Sequence, residues 1–171
     1  MSYTAGKYIA GGGVYVMGTS CSVENCTIVS NSIKLAASGT ALGGGVYVTG
    51  TNAKIRNNII CGNSVGGTAH DLDVAASAVG LVFANNLLVN GDELPEGETN
   101  CLSGVDPIFA EDGGGYRLQD NSPCIDAGLR LDWCLKRGMA VDFDGNERCV
   151  RKPDIGCWES PKRHGAMIIF R

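Results

Sequence analysis

The hexapeptide Gly11-Gly12-Gly13-Val14-Tyr15-Val16 returns 32 residues later as Gly43-Gly44-Gly45-Val46-Tyr47-Val48. A companion segment returns at the same offset. Val23-Glu24-Asn25-Cys26-Thr27-Ile28 aligns with Ile55-Arg56-Asn57-Asn58-Ile59-Ile60, and Asn31 aligns with Asn63. One period therefore holds two short strand-like runs and two turns. A unit of this size cannot bury an apolar face alone and does so by stacking on its neighbours, which is the signature of a solenoid. The functional expectation shifts with it, from an enclosed pocket to an elongated surface.

A third, looser copy follows. Leu72 and Val74 take the place of the Val-Tyr-Val run, and Asn85-Asn86-Leu87-Leu88 echoes Asn57-Asn58-Ile59-Ile60 at an offset of 28. The runs are too short and too rich in glycine for the amphipathic helices of an α/β repeat. Ser32 to Leu42 reads as an expanded loop, and its counterpart Ser64 to Asp71 as a glycine-rich, non-helical one. These facts together predict an all-β chain: a right-handed parallel β-helix of about three coils with an irregular C-terminal cap. Coils stack about 4.8 Å apart, so equivalent residues lie on one another. Asn25, Asn57 and Asn85 are then candidates for an amide ladder, with a simple turn role as the alternative. Ile28, Ile60 and Leu88 form an aliphatic stack inside the tube, and Arg56 lies over Glu24. Period-two alternation over Val23 to Val29 places Val23, Asn25, Thr27 and Val29 on one face, with Cys26 and Ile28 on the other.

The expected organisation is coils over 1–90, a capping region over 91–160 continuous with the helix, and a tail over 161–171. The repeat begins at Gly11 with no basic segment and apolar core before it, so we expect upstream coils and an export signal outside this chain. Within 91–160 the acidic loop Gly91–Glu98 opens an order poor in strands, and a short helix is expected within Leu129 to Gly138, with Leu131, Trp133 and Leu135 as its apolar contacts.

Twenty-five glycines without a G-X-Y period exclude collagen, and a 6% aromatic content makes the core aliphatic and thin. The net charge of -4 argues against nucleic acid as a partner. The basic pairs Lys136-Arg137 and Lys162-Arg163 lack the interleaved aromatics of a stacking platform. No apolar run reaches the roughly 18 residues of a membrane span. Of eight cysteines, Cys124, Cys134, Cys149 and Cys157 cluster in the C-terminal half. A disulfide among them fits an oxidising compartment. Cys21, Cys26 and Cys61 lie in or near strands, where they are either buried as small hydrophobes or bridged.

Five further blocks follow in order: Asp106-Pro107-Ile108-Phe109, Tyr116-Arg117-Leu118, Asn121-Ser122-Pro123-Cys124-Ile125-Asp126-Ala127-Gly128, Asp142-Phe143-Asp144-Gly145-Asn146-Glu147-Arg148 and Asp154-Ile155-Gly156-Cys157-Trp158-Glu159. Together with the glycine repeat, they resemble the C-terminal part of bacterial surface and secreted β-helix proteins, and more narrowly the choice-of-anchor Q group. The resemblance covers about residues 10 to 160. It implies a pectate-lyase-like β-helix, an extracellular or cell-envelope setting and further coils upstream. It does not fix an activity, because related β-helices include polysaccharide lyases and hydrolases as well as adhesins and passive stalks.

A lyase or hydrolase of this fold needs carboxylates gathered with a Lys or Arg in an outer groove. The coils offer Glu24, Lys54, Arg56, Asp71 and Asp73, of which Asp71 and Asp73 beside His70 are the densest. No ladder of carboxylates repeats, so no catalytic residue is assigned. Asp142, Asp144 and Asn146 alternate in a glycine-containing loop, as oxygen ligands for calcium do. The same spacing also suits an Asx-turn network. Asp126 and Asp154 read as acceptors that lock the cap. Cys124 has no histidine in sequence reach and is not a nucleophile. Trp133 and Trp158 read as cap core or, alternatively, as sugar platforms. The expected role is a non-catalytic exported or cell-surface segment with a structural, adhesive or glycan-contacting role. The alternative is a remnant or member of a polysaccharide lyase or glycoside hydrolase of the β-helix class. Polysaccharide is the expected partner, and calcium the one cofactor that the residues suggest.

Overall fold

The computed structural model describes residues 8–35, 40–90, 94–111, 115–135, 140–148 and 152–160. The first coil contains β1 (Tyr8–Ala10), β2 (Val14–Val16), β3 (Ser22–Glu24), β4 (Thr27–Val29) and β5 (Ser32–Ile33). The second repeats it with β6 (Thr40–Leu42), β7 (Val46–Val48), β8 (Lys54–Arg56), β9 (Ile59–Cys61) and β10 (Ser64–Val65), and adds β11 (Thr68–Ala69). The third holds β12 (Leu72–Val74), β13 (Val82–Ala84) and β14 (Leu87–Leu88), and β15 (Leu102–Ser103) begins a partial fourth. Equivalent strands pair in parallel to give the sheets β12-β7-β2, β13-β8-β3 and β15-β14-β9-β4. Among the described residues antiparallel pairing is confined to the β10–β11 hairpin and to two isolated bridges in the C-terminal region. The fold is a right-handed parallel β-helix. Both the 32-residue and the 28-residue offsets read from sequence are its strand registers, Ile60 pairing with Ile28 on one side and Leu88 on the other.

The glycine triplet is explained by what it stacks on. Gly11 and Gly43 hold left-handed backbone, φ +65° and +60°. A Cβ on Gly12 would lie 2.1 Å from the Gly44 carbonyl oxygen, and one on Gly44 would lie 2.4 Å from that of His70. Gly45 makes room for the Asn63 amide, whose nitrogen would lie 2.6 Å from an added Cβ.

Val16, Ile28, Val46, Val48, Ile55, Ile60, Leu72, Phe83 and Leu88 fill the tube. Full burial of each aliphatic side chain contributes about 1.5–3 kcal/mol. The expected alternation over Val23 to Val29 is not what forms. Asn25, Asn57 and Asn85 each take left-handed backbone, φ 52°, 58° and 50°, which asparagine tolerates better than most residues. Each is a corner that divides one expected run into two strands and resets the alternation. Val23, Cys26 and Ile28 therefore face the tube, while Val29 packs in a second cluster outside it.

That second cluster explains the C-terminal region, which does more than close an end. Leu94 and Cys101 pack on the tube core, and β15 extends the last sheet. The chain then runs back along the flank, laying Cys124 and Ile155 against Ile59, Cys61 and Leu87 on the outer face of β4, β9 and β14. Asn57 Nδ2 donates to the Leu129 carbonyl (2.8 Å) and its Oδ1 accepts the Leu129 N–H (2.7 Å). Gly156 N–H donates to the Asn57 carbonyl (2.8 Å), and Cys157 N–H to Thr27 Oγ1 (3.1 Å). The expected short helix is a 3-10 turn over Asp132–Leu135, with Leu131, Cys134 and Ala140 forming a small cluster. The expectations for the side chains of Trp133 and Leu135, for Cys149, for the two basic pairs and for the 161–171 tail lie outside the described residues.

Candidate functional site

Two ladders of buried amides run from coil to coil, and they account for several polar residues that could otherwise carry chemistry. The Cys26 N–H donates to Asn58 Oδ1 (2.9 Å), and the Asn58 N–H to Asn86 Oδ1 (3.0 Å). The Asn86 N–H faces Cys101 Sγ at 3.4 Å. Asn58 Nδ2 also reaches the Val23 carbonyl (2.9 Å), and Asn86 Nδ2 that of Ile55 (2.8 Å). In the second ladder the Asn31 N–H donates to Asn63 Oδ1 (2.9 Å), and the Asn63 N–H to Asp71 Oδ1 (3.0 Å). The row expected to form the ladder makes one rung, Asn57 Nδ2 to Asn25 Oδ1 (3.0 Å). Asn85 turns instead to the Ala127 carbonyl (2.9 Å).

Asp71 is thereby withdrawn from the acidic patch that the sequence suggested. It is fully buried, its Oδ1 accepts both Asn63 nitrogens, and its Oδ2 accepts the Asn90 N–H (3.0 Å). Asp73 lies in the surface row of Tyr47 and Tyr15, whose rings stack 5.3 Å apart. His70 Nε2 lies 4.0 Å from Asp73 Oδ2. Both line a cavity of about 760 Å³ at the incomplete end of the tube, with Leu72, Val74, Leu94 and Glu96. Among the described residues neither Lys nor Arg lines it.

The C-terminal loop builds a second concavity. Glu24, Asn25, Val141, Asp142, Phe143 and Arg148 line a groove of about 420 Å³ between the first coil and the flank. Two carboxylates and an arginine in an outer groove are the composition that a lyase or hydrolase needs, but each is committed. Glu24 accepts from the Arg56 guanidinium, the expected inter-coil pair. Arg148, buried, donates to the Gly156 carbonyl and lies 3.3 Å from Glu159. Asp142 Oδ1 accepts the N–H groups of Asp144 (2.9 Å) and Asn146 (2.7 Å). Its Oδ2 accepts Asn146 Nδ2 (3.0 Å) and the Glu159 N–H (3.0 Å). Burial alone would raise the Asp142 carboxyl; the donors outweigh it and hold it below the usual carboxylate range. Asp144 pairs with Arg117. Asp142, Asp144 and Asn146 thus form an Asx-turn network. Among the described residues no cluster of His, Cys, Asp and Glu is arranged to hold a metal.

One aromatic ring, Phe143, stands on the wall of this groove. Phe143 is 80% exposed and meets Trp158 edge to face at 5.0 Å. The Arg117 guanidinium lies 4.3 Å over the Trp158 ring. Trp158 is half-buried, a surface residue under a cation rather than cap core. Sequence reasoning missed Phe143, because one phenylalanine in a loop carries no periodic signal. Asp154 locks the region as expected, accepting the Asp126 N–H (2.8 Å) and the Ser160 N–H (2.6 Å). Asp126 engages through its backbone, and its side chain is exposed.

Cys21, Cys26, Cys61, Cys101, Cys124 and Cys157 are free, and Cys134 is in a disulfide. Burial pushes the Cys61 and Cys124 thiols up to about 12 and Cys101 up to about 11. Thiols so perturbed are poor nucleophiles. The scaffold is a parallel β-helix, compatible with structural, adhesive or enzymatic roles. The chain matches no family model, and no curated protein matches it. No helix among the described residues is long and apolar enough to cross a membrane.

Proposed function

We propose that the protein is a non-catalytic β-helix segment of an exported or cell-surface protein, acting as a scaffold that contacts glycans. The observation that carries this reading is the commitment of the polar groups. Asp71, Asp142, Glu24 and Arg148 are the residues best placed for acid–base work, and each is engaged in holding coils or flank together. A general acid or base needs capacity to exchange a proton with substrate, and these groups spend theirs on protein donors and acceptors.

The choice-of-anchor Q resemblance supports the setting. Its motif blocks are contiguous in space: Ser122 Oγ donates to the Pro107 carbonyl (2.6 Å), Ile155 N–H to that of Cys124 (2.9 Å), and Phe143 N–H to that of Cys157 (3.2 Å). Further coils of the same period, stacked upstream of the first, are part of this proposal. The groove composition of Glu24, Asp142 and Arg148 is what favours the enzymatic alternative. The test is incubation with polygalacturonate and with neutral polysaccharides. It follows unsaturated uronide absorbance and new reducing ends, alongside retardation of the protein in gels containing each polymer. Retardation without product is expected, and turnover on any of the polymers would overturn the reading.

A further inference from the structure

We propose that the groove between the first coil and the 141–148 loop is a binding site for a neutral hexose chain, with Phe143 as its stacking face. The proposal rests on the glycan-contacting reading above and names its site and ligand class. Three observations carry it.

The first is the cost of displaying Phe143. Solvent-exposed phenylalanine at 80% forgoes the burial that its side chain would otherwise gain. The exposure is fixed by the surroundings. Asp142 knots the loop through its four acceptor bonds, and Gly145 N–H closes the turn on the Asp142 carbonyl (3.1 Å). Phe143 N–H is tied to the flank through Cys157. A loop this constrained presents its ring without an ordering penalty on binding.

The second is shape. The groove beside the ring has about 420 Å³, within the roughly 300–1,000 Å³ of small-ligand clefts. A pyranose has an apolar C–H face and an equatorial rim of hydroxyls. The ring of Phe143 suits the face, and the exposed Arg117–Asp144 pair beside it suits the rim, offering donors and acceptors together. Asn25 also lines the groove.

The third is charge, which selects among sugars. Among the described residues, each cation at the site has its own anion: Arg56 with Glu24, Arg117 with Asp144, Arg148 with Glu159. Asp142 adds a carboxylate without a cationic partner. Among the described residues a uronate polymer would meet no spare positive charge, whereas a neutral hexose desolvates no charge of its own.

The experiment is calorimetric titration of the full chain with cellohexaose, mannohexaose, laminarihexaose and polygalacturonate. Wild type is expected to bind at least one neutral hexaose and to bind polygalacturonate more weakly. Phe143→Ala should weaken that binding about tenfold with an unchanged melting midpoint, and Phe143→Tyr should restore it. Neutral-glycan binding that persists in Phe143→Ala overturns the site and leaves the functional reading standing. Preference for polygalacturonate overturns the ligand class. Absence of binding to all four sinks both this proposal and the glycan part of the reading.

Discussion

Replacing Asn58 by alanine tests the amide ladder where it is least dispensable. The side chain is fully buried and makes three contacts. It accepts the Cys26 N–H (2.9 Å), donates to the Val23 carbonyl (2.9 Å) and donates to Asn86 Oδ1 (2.9 Å). Asn86 Oδ1 keeps the Asn58 N–H after the change. The Cys26 N–H and the Val23 carbonyl lose these partners inside the tube. Each buried group left short costs about 1–3 kcal/mol, so the variant should lose about 2–6 kcal/mol. That is a large share of the roughly 5–15 kcal/mol of a typical domain. With an m-value of about 2 kcal/mol/M in urea, a loss of about 3 kcal/mol lowers the unfolding midpoint by about 1.5 M. Asn31→Ala, at the half-buried start of the other ladder, should cost only about 1 kcal/mol, because Asn63 Oδ1 keeps the Asn31 N–H. Asn58→Asp keeps an acceptor for Cys26 but turns a buried carboxylate oxygen toward the Val23 carbonyl and Asn86 Oδ1, so at neutral pH it should lose at least as much as Asn58→Ala. Equilibrium urea unfolding by far-UV circular dichroism reads all three. If Asn58→Ala loses no more than Asn31→Ala, the ladder does not carry the stability assigned to it.

Asp71→Asn puts an amide nitrogen where the Asn63 or the Asn90 donor now points; a loss of about 1–3 kcal/mol in the same assay is expected, with glycan binding unchanged. Asp142 titrates lower folded than unfolded, so its contribution is complete above the unfolded value of about 3.9 and lost as pH falls through the folded value. Asp142→Asn should therefore be less stable at neutral pH and lose less stability than wild type on acidification, measured as urea midpoints from pH 7 to 3. Calcium and chelator should give the same melting midpoint by calorimetry, since the Asp142 oxygens are taken by N–H donors; a midpoint raised by calcium restores the cation reading. In the native protein a disulfide-exchange reagent should label exposed Cys21 quickly and leave Cys61 and Cys124 unreacted until denaturant is added.

The strand registers were legible because valine and isoleucine recur at one offset, and hydrophobic stacking demands that recurrence. The ladders were half legible. Asn57 and Asn58 are adjacent, and sequence does not say which amide points inward; the left-handed corner at Asn57 decides it. Cysteine at both ends of the longer ladder, Cys26 and Cys101, hid its full length. The other ladder passes from Asn63 to Asp71 across the β10–β11 hairpin, an eight-residue separation that no 32-residue alignment reveals. Asp71 occupies the position of Gly45 in the next coil. Where the glycine admits an asparagine from the far side of the coil, the aspartate supplies the acceptor itself. The groove was not legible because Glu24 and Asp142 are far apart in the chain and meet only when the flank folds back.

The ladders run one way: each coil gives an N–H and receives a side-chain oxygen from the coil after it. A tube built so is a polymer with direction, and its middle is modular. An in-frame duplicate of residues 14–45, carrying Cys26→Asn in the copy to supply the acceptor of the longer ladder, would arrive with its own Asn31 to accept the N–H before it, and with Glu24, Asn25 and Thr27 to meet the flank. Such a chain should fold one coil longer, by about 4.8 Å, with the groove rebuilt on the copy. Length in this protein is thus a quantity that gene duplication can change in whole steps, provided each inserted coil carries the ladder asparagine.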